Sequence, residues 1–172
     1  MVTASSNNYG PYQFPEKMVP MMVLAGIENS PMPIYGDGTN VRDWLHVADH
    51  ADALWRVFRE GRPGEKYNIG AGDERPNIEV VRHICAALDE LAPDEAPHDR
   101  LIMFVPDRPA HDLRYAIDAS KIVRHLGWKP MTAFEDGLRE TVAWYRENRA
   151  WWQPLREGAY DGGRLGLGAS SS

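Results

Sequence analysis

Five stretches of this chain carry apolar residues at helical spacing, separated by short extended runs and turn signals. The first helix is predicted from Pro15 to about Asn29, with Glu16 in its first turn and Met18, Met21, Met22 and Ala25 on its buried side. Pro31 and Pro33 close it. The second runs from about Ala48 to Glu60 and ends at Gly61; Val47, Ala51, Leu54, Trp55 and Phe58 form one stripe, expected to face the core. The third has Asn77 as its N-cap and aligns Ile78, Val81, Ile84, Cys85, Leu88 and Leu91. Asp118 caps a short fourth helix, Ala119 to Leu126, stopped by Gly127. Thr132 and Glu135 make a capping box for the fifth, with Phe134, Leu138, Val142 and Tyr145 inward. Strands are expected at the very start of the chain, at Lys66–Gly70 and at Leu101–Val105. Helices with short strands between them predict an α/β class, without the full βαβ alternation of a complete doubly wound domain.

The ends add two expectations. Met1-Val2-Thr3-Ala4 reads as a strand with nothing before it to pair with, so the chain is expected to begin inside a fold. From Gly158 the composition turns Gly/Ser-rich, which divides the chain into a folded portion, 1–157, and a disordered tail, 158–172.

Composition narrows the class. At 172 residues, with 43% hydrophobic and 26% charged positions, the chain has enough apolar material for one core. A net charge of −6 argues against nucleic acid or an anionic membrane as the main partner. Cys85 is the only cysteine and lies on an apolar stripe, so a buried, inert thiol and a reducing compartment are expected. The apolar run Met18–Ile27 is broken by Pro20 and falls short of the ~20 residues that span a bilayer. The start lacks a basic head followed by an apolar run, and the expected location is cytoplasmic.

Candidate chemistry gathers around Tyr35–His50, YGDGTNVRDWLHVADH. The Gly36-Asp37-Gly38 turn can present Arg42 from a rigid edge, where a guanidinium is suited to clamp a carboxylate or diphosphate. An isolated turn of this kind is more often a surface feature with an Arg–Asp pair. Six further polar residues sit in predicted loops or at element ends: Asn7, Asn8, Lys17, Asn77, Arg108 and His111. Asn77, at a helix N-terminus, brings backbone donors suited to phosphate oxygens. Pro33, Ile34 and Tyr35 offer a flat apolar face for a base. His46 and His50 are four apart but lack the glutamate of a zinc-binding HExxH motif, so metal binding is not expected. Gly70-Ala71-Gly72 lacks a third glycine and is read as a turn, not a dinucleotide site.

The segments SSNNYGPYQFPEK, PIYGDGTNVRDWLHVADH, GEKYNIG with Asn77, and DRPAHDLRYAID through LGWKP together resemble the carboxyl-terminal half of the dTDP-glucose 4,6-dehydratase family. That family belongs to the extended short-chain dehydrogenases, and the resemblance spans about Val2 to Ala159. It implies that Asn7 contacts the sugar nucleotide and Asn8 the nicotinamide side of NAD. Lys17 and Met18 line the nucleotide pocket, Pro33, Ile34 and Tyr35 hold the thymine, and Arg42 and Asn77 grip the diphosphate. Asp107, Arg108, Pro109, Ala110 and His111 form a loop closing over the nucleotide, with Ala110 where the family usually has glycine. NAD is the implied cofactor, a dTDP-sugar the implied substrate, and homodimers made largely through the other half the implied assembly.

The resemblance also implies chemistry that this stretch does not carry. The family oxidises the sugar at C4, eliminates water across C5–C6 and returns hydride to C6, using a tyrosine with a lysine four residues on and an Asp–Glu pair. None of the seven tyrosines here has a lysine four residues later, and no glycine fingerprint is present. The chain is therefore expected to hold substrate and to be inactive alone, with a Rossmann half supplied upstream or by another chain. Two other readings stay open: a non-catalytic dTDP-sugar-binding or partner-binding module, and part of another nucleotide-sugar dehydratase or epimerase.

Overall fold

In the computed structural model, described for residues 1–107, 109 and 111–158, the fold is α/β. Strands β1 (Val2–Ser5) and β2 (Asn7–Tyr9) open the chain, and helix α1 (Met18–Ile27) follows. Next come β3 (Met32–Tyr35), β4 (Val41–His46), α2 (Val47–Glu60), β5 (Lys66–Ile69), β6 (Glu74–Pro76) and α3 (Asn77–Leu91). Two short 3-10 turns lead into β7 (Ile102–Val105), then β8 (Arg114–Tyr115), α4 (Ser120–Leu126), α5 (Phe134–Glu147) and α6 (Arg149–Gly158).

The strands form three small sheets. β1 pairs parallel with β5, Val2 opposite Lys66 through Ser5 opposite Ile69. β3 pairs parallel with β7. β4 pairs parallel with β2 through Trp44–His46, antiparallel with β6 through Val41–Asp43, and parallel with β8 through Val41 and Arg42. Ser6 is the crossing point: its amide still donates to the Ile69 carbonyl, and one residue later the chain has moved across to β4.

Two apolar clusters result. The larger packs α1, α3 and α5 around β2, β3 and Trp44; Val23, Ile84, Leu138, Val142 and Tyr145 are fully buried within it. The smaller joins β5, α2 and α4 through Leu45, Ala53, Val57, Tyr67, Ile69, Ile122 and Trp128. Cys85 is buried against Met32, and burial raises its thiol pKa to about 12, so it is inert at neutral pH.

Several predicted details need correction. α1 begins at Met18 rather than Pro15, because Tyr12 takes a left-handed conformation and Phe14–Lys17 closes a turn. The N-cap of α3 is Pro76, and Asn77 is its first helical residue. The expected capping box does not form: Ala133 is the N-cap of α5, and Glu135 instead pairs with Arg75 at 2.8 Å. Helix α6 was not expected; its Trp152 is buried and donates to the Tyr145 carbonyl at 2.7 Å. α6 carries the helix to Gly158, one residue past the predicted boundary, and 159–172 lie outside the described residues. The largest departure is α2, which buries Asp49, Ala53 and Val57 and leaves the predicted inward stripe on the surface. Its turn toward the sheet is set by Asp49.

Two buried carboxylates do this structural work. Asp49 accepts the amides of Met131 and Thr132, both at 3.0 Å, and so fastens the approach to α5 onto α2. Asp43, 1% exposed, accepts the Asp73 amide at 3.0 Å and holds the turn between β5 and β6 against β4. Burial is the main influence on Asp43 and raises its pKa above the ordinary carboxylate range; the amide hydrogen bond opposes this.

Asp49→Ala strips the buried acceptor from two backbone amides, and urea melts are expected to show a loss of about 1–3 kcal/mol. An unchanged midpoint would remove Asp49 from this role. For Asp43, a raised folded-state pKa means the native state binds the proton more tightly than the unfolded chain. That stabilisation is fully present below the ordinary carboxylate range and is lost as pH rises through the raised value. Urea midpoints from pH 4 to 7 should therefore fall less with pH in Asp43→Asn than in the parent chain.

Candidate functional site

The turn between β3 and β4 is the centre of the site. Gly36 and Gly38 both adopt positive φ, 59° and 77°, which a side chain tolerates poorly. A Cβ at Gly38 would also stand 2.8 Å from side-chain atoms of both Ile34 and Ile78. Asp37 stabilises the turn by accepting from the Thr39 amide at 3.0 Å and hydroxyl at 2.6 Å, bonds that hold its carboxyl below the ordinary range. Since β3 pairs with β7 and β4 with other strands, this turn is a crossing between sheets and not a hairpin.

Two segments converge on it. The start of α3 docks through two backbone bonds, Asn77 to the Asn40 carbonyl and Ile78 to the Gly38 carbonyl, both 3.0 Å. The 105–113 segment docks through Gly36 to the Val105 carbonyl and Val41 to the Leu113 carbonyl. Asn40, 3% exposed, adds a bond from its side chain to the Asp112 carbonyl at 3.2 Å. Arg42 donates to the Val41 carbonyl at 2.7 Å and the Asp112 carbonyl at 2.9 Å.

The charges divide unequally between two facing arginines. Arg42 lies opposite Arg75 in the β4–β6 ladder, where like charges repel. Arg75 is neutralised by Asp73, Glu79 and Glu135 at 2.7–2.9 Å and lies over the Phe134 ring. Arg42 pairs with no carboxylate among the described residues; carbonyl dipoles orient it and leave its full charge available. One residue past the β4–β6 ladder, which ends with Pro76 opposite Val41, the Asn77 side-chain oxygen is buried with no partner. An unmet amide oxygen at a helix N-terminus, next to an uncancelled guanidinium, is suited to an anion bearing a hydroxyl or NH donor.

The other predicted residues distribute as follows. Tyr35 is half-buried and meets the His111 ring edge-on at 6.4 Å; His111 in turn bonds Asp107 at 2.7 Å. Asp107 also packs on Gly36, so the loop side chains reach the turn. Pro33 is partly exposed, whereas Ile34 is 4% exposed and belongs to the core. Pro109 is exposed, and Arg108 and Ala110 lie outside the described residues. Asn7 and Asn8 stand in β2 rather than a loop, opposite Trp44 and Leu45 at the far end of β4 from Arg42. Asn8 donates to the Ser5 hydroxyl and Ser6 carbonyl, and its own side-chain oxygen is buried without a partner. Lys17 is exposed and paired with Glu16 at 2.7 Å, and Met18 packs against the larger core. No group of three or more metal-ligating side chains occurs among the described residues, and none of their helices is long and apolar enough to cross a membrane.

Sequence reasoning missed the pair that anchors the loop. Arg114 in β8 makes a two-pronged bond to Glu74 in β6, 2.6 Å at each oxygen, and this holds the Glu74 carboxyl below its ordinary pKa. No spacing rule links residues 40 apart. Asn40 was missed too, although an asparagine two residues past Gly38 is a usual turn-stabilising choice.

The comparisons match this geometry to known proteins. A family profile described as GDP-mannose 4,6 dehydratase covers residues 1–141. A probable dTDP-glucose 4,6-dehydratase of Sinorhizobium fredii is 56% identical over 97% of this chain and 48% of the relative. Among solved structures, dTDP-glucose 4,6-dehydratase from Bacillus anthracis in complex with NAD superposes with a TM-score of 0.81 at 49% identity, covering 90% of this chain and 47% of that one. The dTDP-glucose 4,6-dehydratase of Streptomyces venezuelae with NAD and TYD bound gives 0.82 at 45% identity, covering 89% and 45%. The chain spans about half the length of the curated relatives it matches. By the profile that covers most of its length, the chain belongs to the GDP-mannose 4,6 dehydratase family, and it is similar to proteins named dTDP-glucose 4,6-dehydratase over about half of their length.

Proposed function

We propose that this chain is the substrate-holding, carboxyl-terminal half of a dTDP-glucose 4,6-dehydratase, which converts dTDP-glucose to dTDP-4-keto-6-deoxyglucose and water. The observation that carries the reading is Arg42, a guanidinium held by two carbonyls with no carboxylate to cancel it, beside the unmet oxygen of Asn77. A diphosphate would bridge those two groups: its oxygens take the Arg42 charge, while a hydroxyl of the attached sugar supplies the donor Asn77 lacks.

Strand β4 then acts as a ruler. Arg42 and Leu45, the latter opposite Asn8, are three residues apart, or about 10 Å along an extended strand. A diphosphate at Arg42 therefore sets the sugar toward Asn7 and the base toward Pro33 and Tyr35. Asp107, Arg108, Pro109, Ala110 and His111 would close over the nucleotide, and Lys17 and Met18 would border it from α1. Ile34 supports the base platform from beneath through the core.

For NAD, the residues present fit one edge of a site and no more. Asn8, with its buried unmet oxygen, is suited to the carboxamide of a nicotinamide, and no glycine fingerprint accompanies it. NAD supplies hydride acceptance and return. This chain's share is to orient the sugar and exclude water, and the tyrosine–lysine and Asp–Glu pairs come from a Rossmann half in upstream sequence or another chain. The assembled enzyme would be a cytoplasmic lyase acting as a homodimer.

Three measurements test this. Calorimetry of the folded chain with dTDP and dTDP-glucose should give saturable binding, weaker or absent with UDP- and GDP-sugars; a preference for either of those sugars argues for another dehydratase or epimerase. Arg42→Met should weaken dTDP binding at least tenfold with an unchanged melting temperature, and an equal affinity would sink the clamp. Glu74→Gln frees Arg114 and the loop. Because the Glu74 pKa is depressed, the pair is intact above the ordinary glutamate range and lost as pH falls through its lowered value. Binding by the parent chain should thus decline toward pH 4 more steeply than binding by Glu74→Gln.

A further inference from the structure

Asn40 is one of the few polar side chains buried among the described residues, 3% exposed where the Gly36–Gly38 turn enters β4. A buried amide without partners costs free energy, so its bonds explain its presence. Its backbone carbonyl accepts the Asn77 amide at 3.0 Å, and its side-chain nitrogen donates to the Asp112 carbonyl at 3.2 Å. A carbonyl only accepts, so the end of the Asn40 amide that faces Asp112 has to be the nitrogen. This one residue therefore holds both segments that meet at the turn, the start of α3 and the approach to β8.

The Asp112 carbonyl is shared. Besides the Asn40 side chain it accepts Arg42 Nη2 at 2.9 Å, which engages both of its lone pairs. The second anchor of the guanidinium is the Val41 carbonyl, 2.7 Å from Nη1. These anchors differ in kind. Val41 precedes Arg42 in β4, where β6 on one side and β8 on the other fix it. Asp112 is exposed and lies outside any strand. The next residue, Leu113, is tied down by the Val41 amide at 2.8 Å, but that bond does not fix the direction of the Asp112 carbonyl. The buried donor on Asn40 does.

We propose that Asn40 is a positioning residue for the anion clamp. Its burial keeps it from any ligand; it aims the Asp112 carbonyl, and that carbonyl together with the one on Val41 sets the plane in which Arg42 presents its remaining N–H donors. A guanidinium fixed before the anion arrives gives up little rotamer freedom on binding, whereas one on a free stem gives up more. The proposal rests on the substrate-half reading above and adds the residue that preorganises its diphosphate clamp. If Asn40 only fastened the turn, its loss would act whether or not Arg42 were present. If it positions the clamp, its effect passes through Arg42.

A double-mutant cycle separates the two roles. Asn40→Ala keeps the backbone bond to Asn77 and removes the donor; calorimetry of the full chain should show it weakening dTDP binding about fivefold or more. In an Arg42→Met background the same change should alter affinity by less than about twofold, because the group it positions is gone. Effects that multiply in the double variant overturn the proposal, and so does parental affinity in Asn40→Ala. Because truncating a buried side chain can loosen the turn, a second measurement uses the parent chain alone. NMR relaxation of the Arg42 side-chain N–H groups should show an ordered guanidinium before ligand is added, little changed by saturating dTDP. A guanidinium that is mobile without dTDP and ordered with it overturns the proposal. A parent chain that binds no dTDP defeats the substrate-half reading instead, and the positioning role is then decided by whether Arg42 loses its order in Asn40→Ala.

Discussion

Hydrogen bonding along β4 is the constraint on which the rest depends. A strand has two edges, and this one divides them among three partners: β2 and β8 take successive segments, while β6 occupies the other side of Val41–Asp43. Several of the candidate groups hang from one of those pairings. Arg42 is on β4 itself, Asn77 follows β6, His111 precedes β8, and Asn7 and Asn8 are on β2. Moving β4 by one residue would turn Arg42 to the other face and break all of them at once.

Charge placement follows from that packing. Two arginines face each other across the β4–β6 ladder, and the fold cancels one with three carboxylates while leaving the other with carbonyls. Arg75 thereby becomes structural, tying β6 to the starts of α3 and α5. Arg42 keeps its charge uncancelled by any carboxylate among the described residues. The same economy appears in the buried acids: Asp43 and Asp49 each accept backbone amides and so serve the scaffold, although both lie within the stretch richest in candidate chemistry.

Much of the scaffold was legible in the sequence because periodicity reports burial directly. The inward residues of α5, Phe134, Leu138, Val142 and Tyr145, are all buried, as is most of the predicted α3 stripe. Turn chemistry was legible as well, at Gly36-Asp37-Gly38 and at the left-handed Gly127 that ends α4. Capping was not. Asn77 and Thr132 carry the right side chains for caps, but the first is drawn to Asn40 through its backbone and the second donates its amide to Asp49. Local rules lose where a buried partner from elsewhere competes for the same group.

By itself, the sequence determined the α/β class, the core helices, the inert Cys85 and the set of polar residues worth suspecting, since these depend on neighbours a few positions apart. Only the tertiary structure decided which of them meet. It set Asn7 and Asn8 opposite Trp44 and Leu45, two and three residues along β4 from Arg42, buried Ile34 in the core, and joined Glu74 to Arg114 across 40 residues. It also decided which side of α2 faces inward. Hydrophobic spacing identifies an apolar stripe without saying what will cover it, and here Asp49, Ala53 and Val57 take the inward side of the helix instead.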